Sequence, residues 1–537
     1  MQNRTDTTSI APSVNRSRRR TLKALGVLGV ASIVGSGTAL GAQLDALVTA
    51  GRLTEVQTAQ LFTQVKKLTA SDAAAGDSFG YAVSVSGDGS TALVGARQDD
   101  DAGLSSGSAY VYDLTQDPPV ETKLAASDAA MFDFFGHSVS MSDDGTTALV
   151  GAYLDGDAGL QSGSVYVYDL TQDPPAETKL TASDGAAGDI FGWSVSVSGD
   201  GRTALVGARQ DDDAGSSSGS AYVYDLTQDP PTETKLSASD AAAGDFFGDP
   251  VAINCDGSTA LVGASHDDDA GSGSGAAYVY DLTQNPPVEA KLTASDATNG
   301  ENFGRSVSIS GDGTTALVGA HWGAAEGSRL GSAYVYDLTQ DPPTETKLSA
   351  SDAAANDFFG HSVSMSDDGR TALVGASLDD DAGLSSGSAY VFDLTQDPPA
   401  ETKLAASDGA AGDNFGHSVS ISGDGSTALI GAYLDDDAGP DSGSAYVFEL
   451  ELLEVFPEPI VLKSGKVVDP QDLDGDGLYE DLDGDDNVDG QDVSNLTQLE
   501  NAQRKGEIQL TDAQVAALDF NGDGEFTKKD IAAYSKQ

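Results

Sequence analysis

The sequence predicts an all-β fold, a seven-bladed β-propeller of four-stranded blades, followed by a small helical domain outside the ring. Three observations predict it. A 56-residue block recurs seven times, marked by Phe79-Gly80, Phe135-Gly136, Phe191-Gly192, Phe247-Gly248, Phe303-Gly304, Phe359-Gly360 and Phe415-Gly416. Each block holds four short strand-like segments parted by turn residues. The last block lacks its fourth segment, while a lone copy of that segment precedes the first block. A period without insertions means one supersecondary unit packed mainly on its neighbours. Four antiparallel strands per unit favour a closed ring over a solenoid, whose repeats are usually shorter.

In the first block, Tyr81 to Ser86 alternates apolar and small polar residues, and Gly87-Asp88-Gly89-Ser90 makes a tight turn. Thr91 to Ala96 is nearly apolar, as a strand covered on both faces must be. The acidic loop Gln98 to Gly103 leads to a third strand, Gly107 to Leu114. Gln116-Asp117-Pro118-Pro119 breaks the chain, because proline cannot donate to a ladder. Glu121 to Ala125 is a short charged strand suited to an outer edge. Gln64 to Thr69 aligns with that fourth strand, so the N-terminal segment is expected to complete the last blade.

The formal charge is −57, from 28 Lys and Arg against 85 Asp and Glu. Such a field disfavours nucleic acid and anionic lipid as partners. Dense surface carboxylates also fit a protein that works in molar salt. The single cysteine, Cys255, excludes an internal disulfide and sits in a hairpin turn, a place for a stray thiol rather than a nucleophile.

Ser17 to Lys23, with Arg18-Arg19-Arg20, resembles a twin-arginine export motif. A moderately apolar stretch, Ala24 to Leu40, and small residues at Gly41-Ala42 follow it. The resemblance implies a signal over 1–42 and a secreted or cell-surface protein. No cysteine follows the apolar stretch, so no lipid anchor is expected. The remaining divisions are a lead-in over 43–63, the propeller over 64–450, a linker over 451–471 and a tail module over 472–537.

Phe-Gly at the head of each block and Val-Gly-Ala after its second strand resemble the FG-GAP repeats of integrin alpha-subunit propellers. Secreted prokaryotic repeat proteins with Ser-Gly-Asp-Gly turns are closer still. Calcium-binding members carry a longer Asp-rich loop between the first two strands. Here that loop is only Gly-Asp-Gly or Asp-Asp-Gly, too short to wrap a cation, so no calcium is assigned to the blades. The resemblance implies ligand docking on the face that bears the acidic loops.

Two features break the uniformity of that face. The residue after each Phe-Gly varies: Tyr81, His137, Trp193, Asp249, Arg305, His361 and His417. It begins the innermost strand and is expected near the rim of the central channel. The fifth block replaces its acidic loop with one opening His321-Trp322, an aromatic recognition spot. His361 and His417 lie on neighbouring blades but lack a third convergent metal ligand. No catalytic residue is assigned, because carboxylates identical in most blades do not form a differentiated acid–base pair.

The tail carries calcium-type spacing. Asp519, Asn521, Asp523, Glu525, Thr527 and Asp530 hold oxygen-bearing positions of a twelve-residue loop with Gly524 at the turn. A second loop offers Asp481, Asp483, Asp485, Asn487 through its carbonyl, Asp489 and Asp492. A third begins with Asp472, Asp474 and Asp476. Between the first two, Leu510 to Leu518 reads as a helix with a Thr511/Gln514 capping box. Aspartate at the last ligand position makes these loops resemble a dockerin module. The resemblance implies calcium at two sites, with a third in the upstream loop, and a cohesin-like protein partner. The partner-reading pairs it implies are Gly490-Gln491 and Lys528-Lys529. Together these features predict a non-catalytic binding or adhesion scaffold, with a polysaccharide-active enzyme or carbohydrate-binding component as the alternative.

Overall fold

A computed structural model describes residues 60–323, 329–452, 460–461 and 467–468. Residues Phe62–Leu450 form one compact unit. Seven four-stranded antiparallel sheets follow one another along the chain. The first contains Phe79–Val85, Thr91–Ala96, Ser108–Asp113 and Val120–Leu124, hydrogen-bonded in chain order. In the second to fifth sheets the innermost strand is shorter, as in Ser138–Met141, and Pro250 trims the fourth to Val251–Ile253. The seventh sheet is assembled from both ends of the unit. Gln60–Leu68 is its outer strand, beside Ser444–Leu452, Thr427–Ala432 and Ser418–Ile421. The closing strand thus starts at Gln60, four residues before the segment expected from alignment with the other outer strands.

The Phe-Gly marker is the joint between blades. Phe79 is fully buried and meets Tyr110 and Tyr112 edge to face, at ring-centroid distances of 5.5 and 6.1 Å. The other six blades repeat this arrangement, for example Phe247 on Tyr278 and Tyr280. Such edge-to-face contacts add roughly 0.5–1.5 kcal/mol each beyond area burial. Phe135 bridges to Gly107 of the preceding blade, and the same parallel bridge joins Phe79 to Gly443, which closes the ring. Gly107 has φ +83, and a Cβ there would overlap the Phe135 carbonyl, so only glycine fits the joint.

At the end of the axis that bears the Gly-Asp-Gly turns, a second closure links the blades. Gly87 N donates to Asp143 O, Asp143 N to Gly199 O, and Asp200 N to Cys255 O, at 2.9, 3.0 and 3.1 Å. Cys255 N then donates to Gly311 O, Gly311 N to Asp367 O and Asp367 N to Gly423 O, at 3.2, 2.9 and 2.9 Å. Asp424 N donates to Gly87 O at 3.1 Å and returns the chain of bonds to its start. The scaffold is therefore fastened blade to blade by backbone as well as by buried rings.

Candidate functional site

The acidic loops were expected to face solvent or a ligand. Instead each trio of carboxylates surrounds a lysine of the outer strand. Lys123 Nζ lies 2.7 Å from Asp72, 2.9 Å from Asp99 and 2.6 Å from Asp101. Tyr110 OH reaches the same Asp72 and Asp99 carboxylates, at 2.9 and 2.7 Å. Asp99 is buried, whereas Asp72 and Asp101 are open to solvent. Burial alone would lower the lysine pKa; the three carboxylates outweigh it and hold Lys123 above its ordinary value. Burial, then hydrogen bonding to Asp99 and Asp72, raises Tyr110 and keeps its hydroxyl protonated.

Lys179, Lys235, Lys291, Lys403 and Lys67 make the same clamp in their blades. Lys67 comes from the closing strand and holds Asp408, Asp435 and Asp437. In the fifth blade the Asp-Asp-Asp run is gone, and among the described residues Lys347 makes its one ion pair with Asp296, at 2.6 Å. The repeated carboxylates are thus structural, and the centre of each trio is already filled by an ammonium group.

This geometry carries a prediction. Lys235→Met leaves Asp211, whose side chain is 5% exposed, without its cation. An orphaned buried charge costs several kcal/mol, so a loss of about 3 kcal/mol is expected in denaturant unfolding. Lys347→Met removes one pair between half-exposed side chains and should cost under about 1 kcal/mol. Equal losses in the two variants would refute the clamp.

The differentiated residues gather at the opposite end of the axis from the Gly-Asp-Gly turns. Those after each Phe-Gly pack on one another around it. The Tyr81 ring lies 5.2 Å from His137 and 4.9 Å from His417, and His137 lies 4.5 Å from Trp193. Trp193 Nε1 donates to Asp249 Oδ1 at 2.8 Å, and Arg305 donates to the same oxygen at 3.3 Å. His361 and His417 are 4.8 Å apart, and His361 Nδ1 donates to the His417 carbonyl at 3.2 Å.

A second tier comes from the residue after the Gly-Ala that ends each second strand, a position the sequence reading singled out only at His321. It comprises Arg97, Tyr153, Arg209, Ser265, His321, Ser377 and Tyr433. The Arg97 guanidinium lies 3.5 Å from the centre of the Tyr81 ring and the Arg209 guanidinium 3.8 Å from that of Trp193. Arg209 also donates to Asp249 Oδ2 at 2.7 Å. Asp249 is buried; burial would raise its pKa, but Arg305 and Arg209 hold it below the usual carboxylate range. Burial, then the positive arginines, drives His137 well below its ordinary value, and His361 down to about 4. These imidazoles are neutral near pH 7 and poorly matched to proton transfer there. His321 is buried against Phe358 and His361 and lowered to about 2, whereas Trp322 is 39% exposed with Arg329 over its ring.

At the far end of the axis, ligand atoms of Asp143, Cys255 and Asp367 lie within 4.8 Å of one another. Glycines occupy the four ring positions between and beside them, where a Cβ would strike Asp143, Cys255 or Asp367. Burial, then the Asp143 carboxylate, raises the Cys255 thiol, so it is protonated and poorly nucleophilic. All the calcium-loop and partner-reading residues of the tail lie outside the described residues.

Comparison with known proteins places both parts of the chain. The FG-GAP repeat model matches residues 62–112, 120–168, 175–224, 231–280, 287–336, 343–392 and 399–448. The dockerin type I domain model matches residues 479–537. No curated protein matches the chain. Among solved structures, a chain of Kuenenia stuttgartiensis hydrazine synthase is similar at 15% identity and TM-score 0.48, covering 73% of this chain and 100% of that one. With seven matched repeats closed into one propeller, the chain belongs to the FG-GAP repeat family and carries a dockerin type I domain.

Proposed function

We propose that this protein is an exported, non-catalytic binding scaffold, docked to a cohesin-like partner through its C-terminal module. The match of residues 479–537 to the dockerin type I domain carries the docking half of the reading. Calcium supplies the charge that lets the acidic loops collapse. Asp519, Asn521, Asp523, Glu525, Thr527 and Asp530 would hold one ion, and Asp481, Asp483, Asp485, Asn487, Asp489 and Asp492 another. Asp472, Asp474 and Asp476 begin the third site of this reading. Gly490-Gln491 and Lys528-Lys529 would read the partner, and because the pairs differ, one binding orientation is favoured.

The propeller supports the scaffold half. The carboxylates of its acidic trios are committed to lysines, its mouth histidines are neutral, and its one mouth carboxylate paired to arginine, Asp249, is held by two of them. None of these is a free acid or base poised near neutral pH. The experiment is calorimetric titration of the full chain with a type I cohesin in calcium and in chelator. Binding that appears only with calcium is expected; absence of binding in calcium would overturn the docking reading.

A further inference from the structure

The propeller gathers positive charge at one point, the axial mouth, in a chain of net charge −57. Arg97, Arg209 and Arg305 converge there. Asp249 is the carboxylate paired with Arg209 and Arg305, and Arg97 has no acidic partner among the described residues. The donors are underused: Arg97 Nε and Arg209 Nε are buried without a hydrogen-bond partner. A guanidinium has five N–H donors, yet the one side-chain polar contact of Arg97 among the described residues is a long 3.4 Å approach to His137 Nδ1. Stacking on Tyr81 and Trp193 fixes the planes of Arg97 and Arg209 in advance. Buried guanidinium N–H groups left unpaired are costly, and a planar oxyanion repairs the deficit through paired charge-assisted bonds.

We propose that the axial mouth binds a small ligand carrying a single carboxylate, received by Arg97 and the free donors of Arg209. This deepens, and rests on, the reading of the propeller as a binding platform. The surroundings set the size and charge of the ligand. Open carboxylates such as Asp101, 66% exposed, repeat around the same face and repel a polyanion, while one compact charge meets only the positive centre. A monomeric uronic acid has this chemistry; a polyuronate does not.

Tryptophan fluorescence reads the site directly. The chain has two tryptophans, and Trp322→Phe leaves Trp193, under Arg209, as the sole tryptophan, excited selectively over the tyrosines. That variant of the full chain is titrated with sodium glucuronate, glucose and polygalacturonate at constant ionic strength. Saturable change with glucuronate, none with glucose, and weaker response per carboxylate to the polymer are expected. Arg97→Gln should weaken glucuronate binding tenfold or more without orphaning a carboxylate. Asp249→Asn frees two arginines and should strengthen it several-fold. A role limited to packing would move neither affinity in these directions. No saturable response to glucuronate, an equal response to glucose, or tighter binding of the polymer per carboxylate would overturn the proposal. Should either variant fail to fold, the contrast between glucuronate and glucose decides alone. Cohesin binding that persists while glucuronate fails would remove this inference and leave the docking reading standing.

Discussion

Deleting residues 1–69 is expected to abolish the cooperative fold of the propeller, whereas deleting 1–58 should leave its stability unchanged. The difference is one strand, Gln60–Leu68, which completes the seventh blade. Without it, Ser444–Leu452 becomes an exposed sheet edge, open to pairing with other chains. Phe62 and Leu68, both buried, are lost from the cores they fill with Phe415, Phe448, Phe79 and Tyr112. Each such side chain contributes roughly 1.5–3 kcal/mol. Loss of Lys67 also strands Asp435, whose side chain is 5% exposed, at a further cost of about 3 kcal/mol. Together these losses of roughly 6 kcal/mol or more rival the 5–15 kcal/mol that holds most domains folded. The measurement is the denaturant midpoint of the two truncations beside the full chain, with oligomeric state by light scattering. A longer truncation as stable and monomeric as the shorter one would refute closure by the N-terminal strand.

The period and the alternation made the scaffold legible. Thr91–Ala96 is a strand at its expected bounds, because an apolar segment between glycine turns has few other ways to bury itself. The lysine clamp was not legible, because its contacts are distant in sequence. Lys123 meets Asp72 across 51 residues and Asp99 across 24, and a charged outer strand reads locally as mere edge protection. Asp-Asp-Asp and Lys do recur together in most blades, but the fifth keeps Lys347 after losing its acidic loop, which hides the link.

At the mouth, variation after Phe-Gly was visible in the sequence, and the structure shows its partner tier. Arg97 and Arg209 vary against the same constant background one strand later, a signal of equal strength that could have been read. The charge balance there was not readable, since pairing of Asp249 with both Arg209 and Arg305 depends on the ring geometry. The dockerin character of the tail was legible from its spacing and is borne out by the domain match over 479–537, while its calcium positions lie outside the described residues.

The second large effect follows from the proposed division between a ring that fastens itself and a module that needs an ion. In six blades a lysine of the propeller already occupies the centre of each carboxylate trio, so removing calcium should leave the ring intact. In the proposed reading, the module over 472–537 carries crowded carboxylates that calcium would draw together. Scanning calorimetry of the full chain, with calcium and then with excess chelator, tests this division most directly. Two transitions are expected in calcium; chelator should abolish the smaller one and leave the larger within about 2 °C, a shift worth only about 1–2 kcal/mol for a unit spanning Phe62–Leu450. A single transition that moves as a whole with chelator, or a propeller transition lost with calcium, would contradict the account.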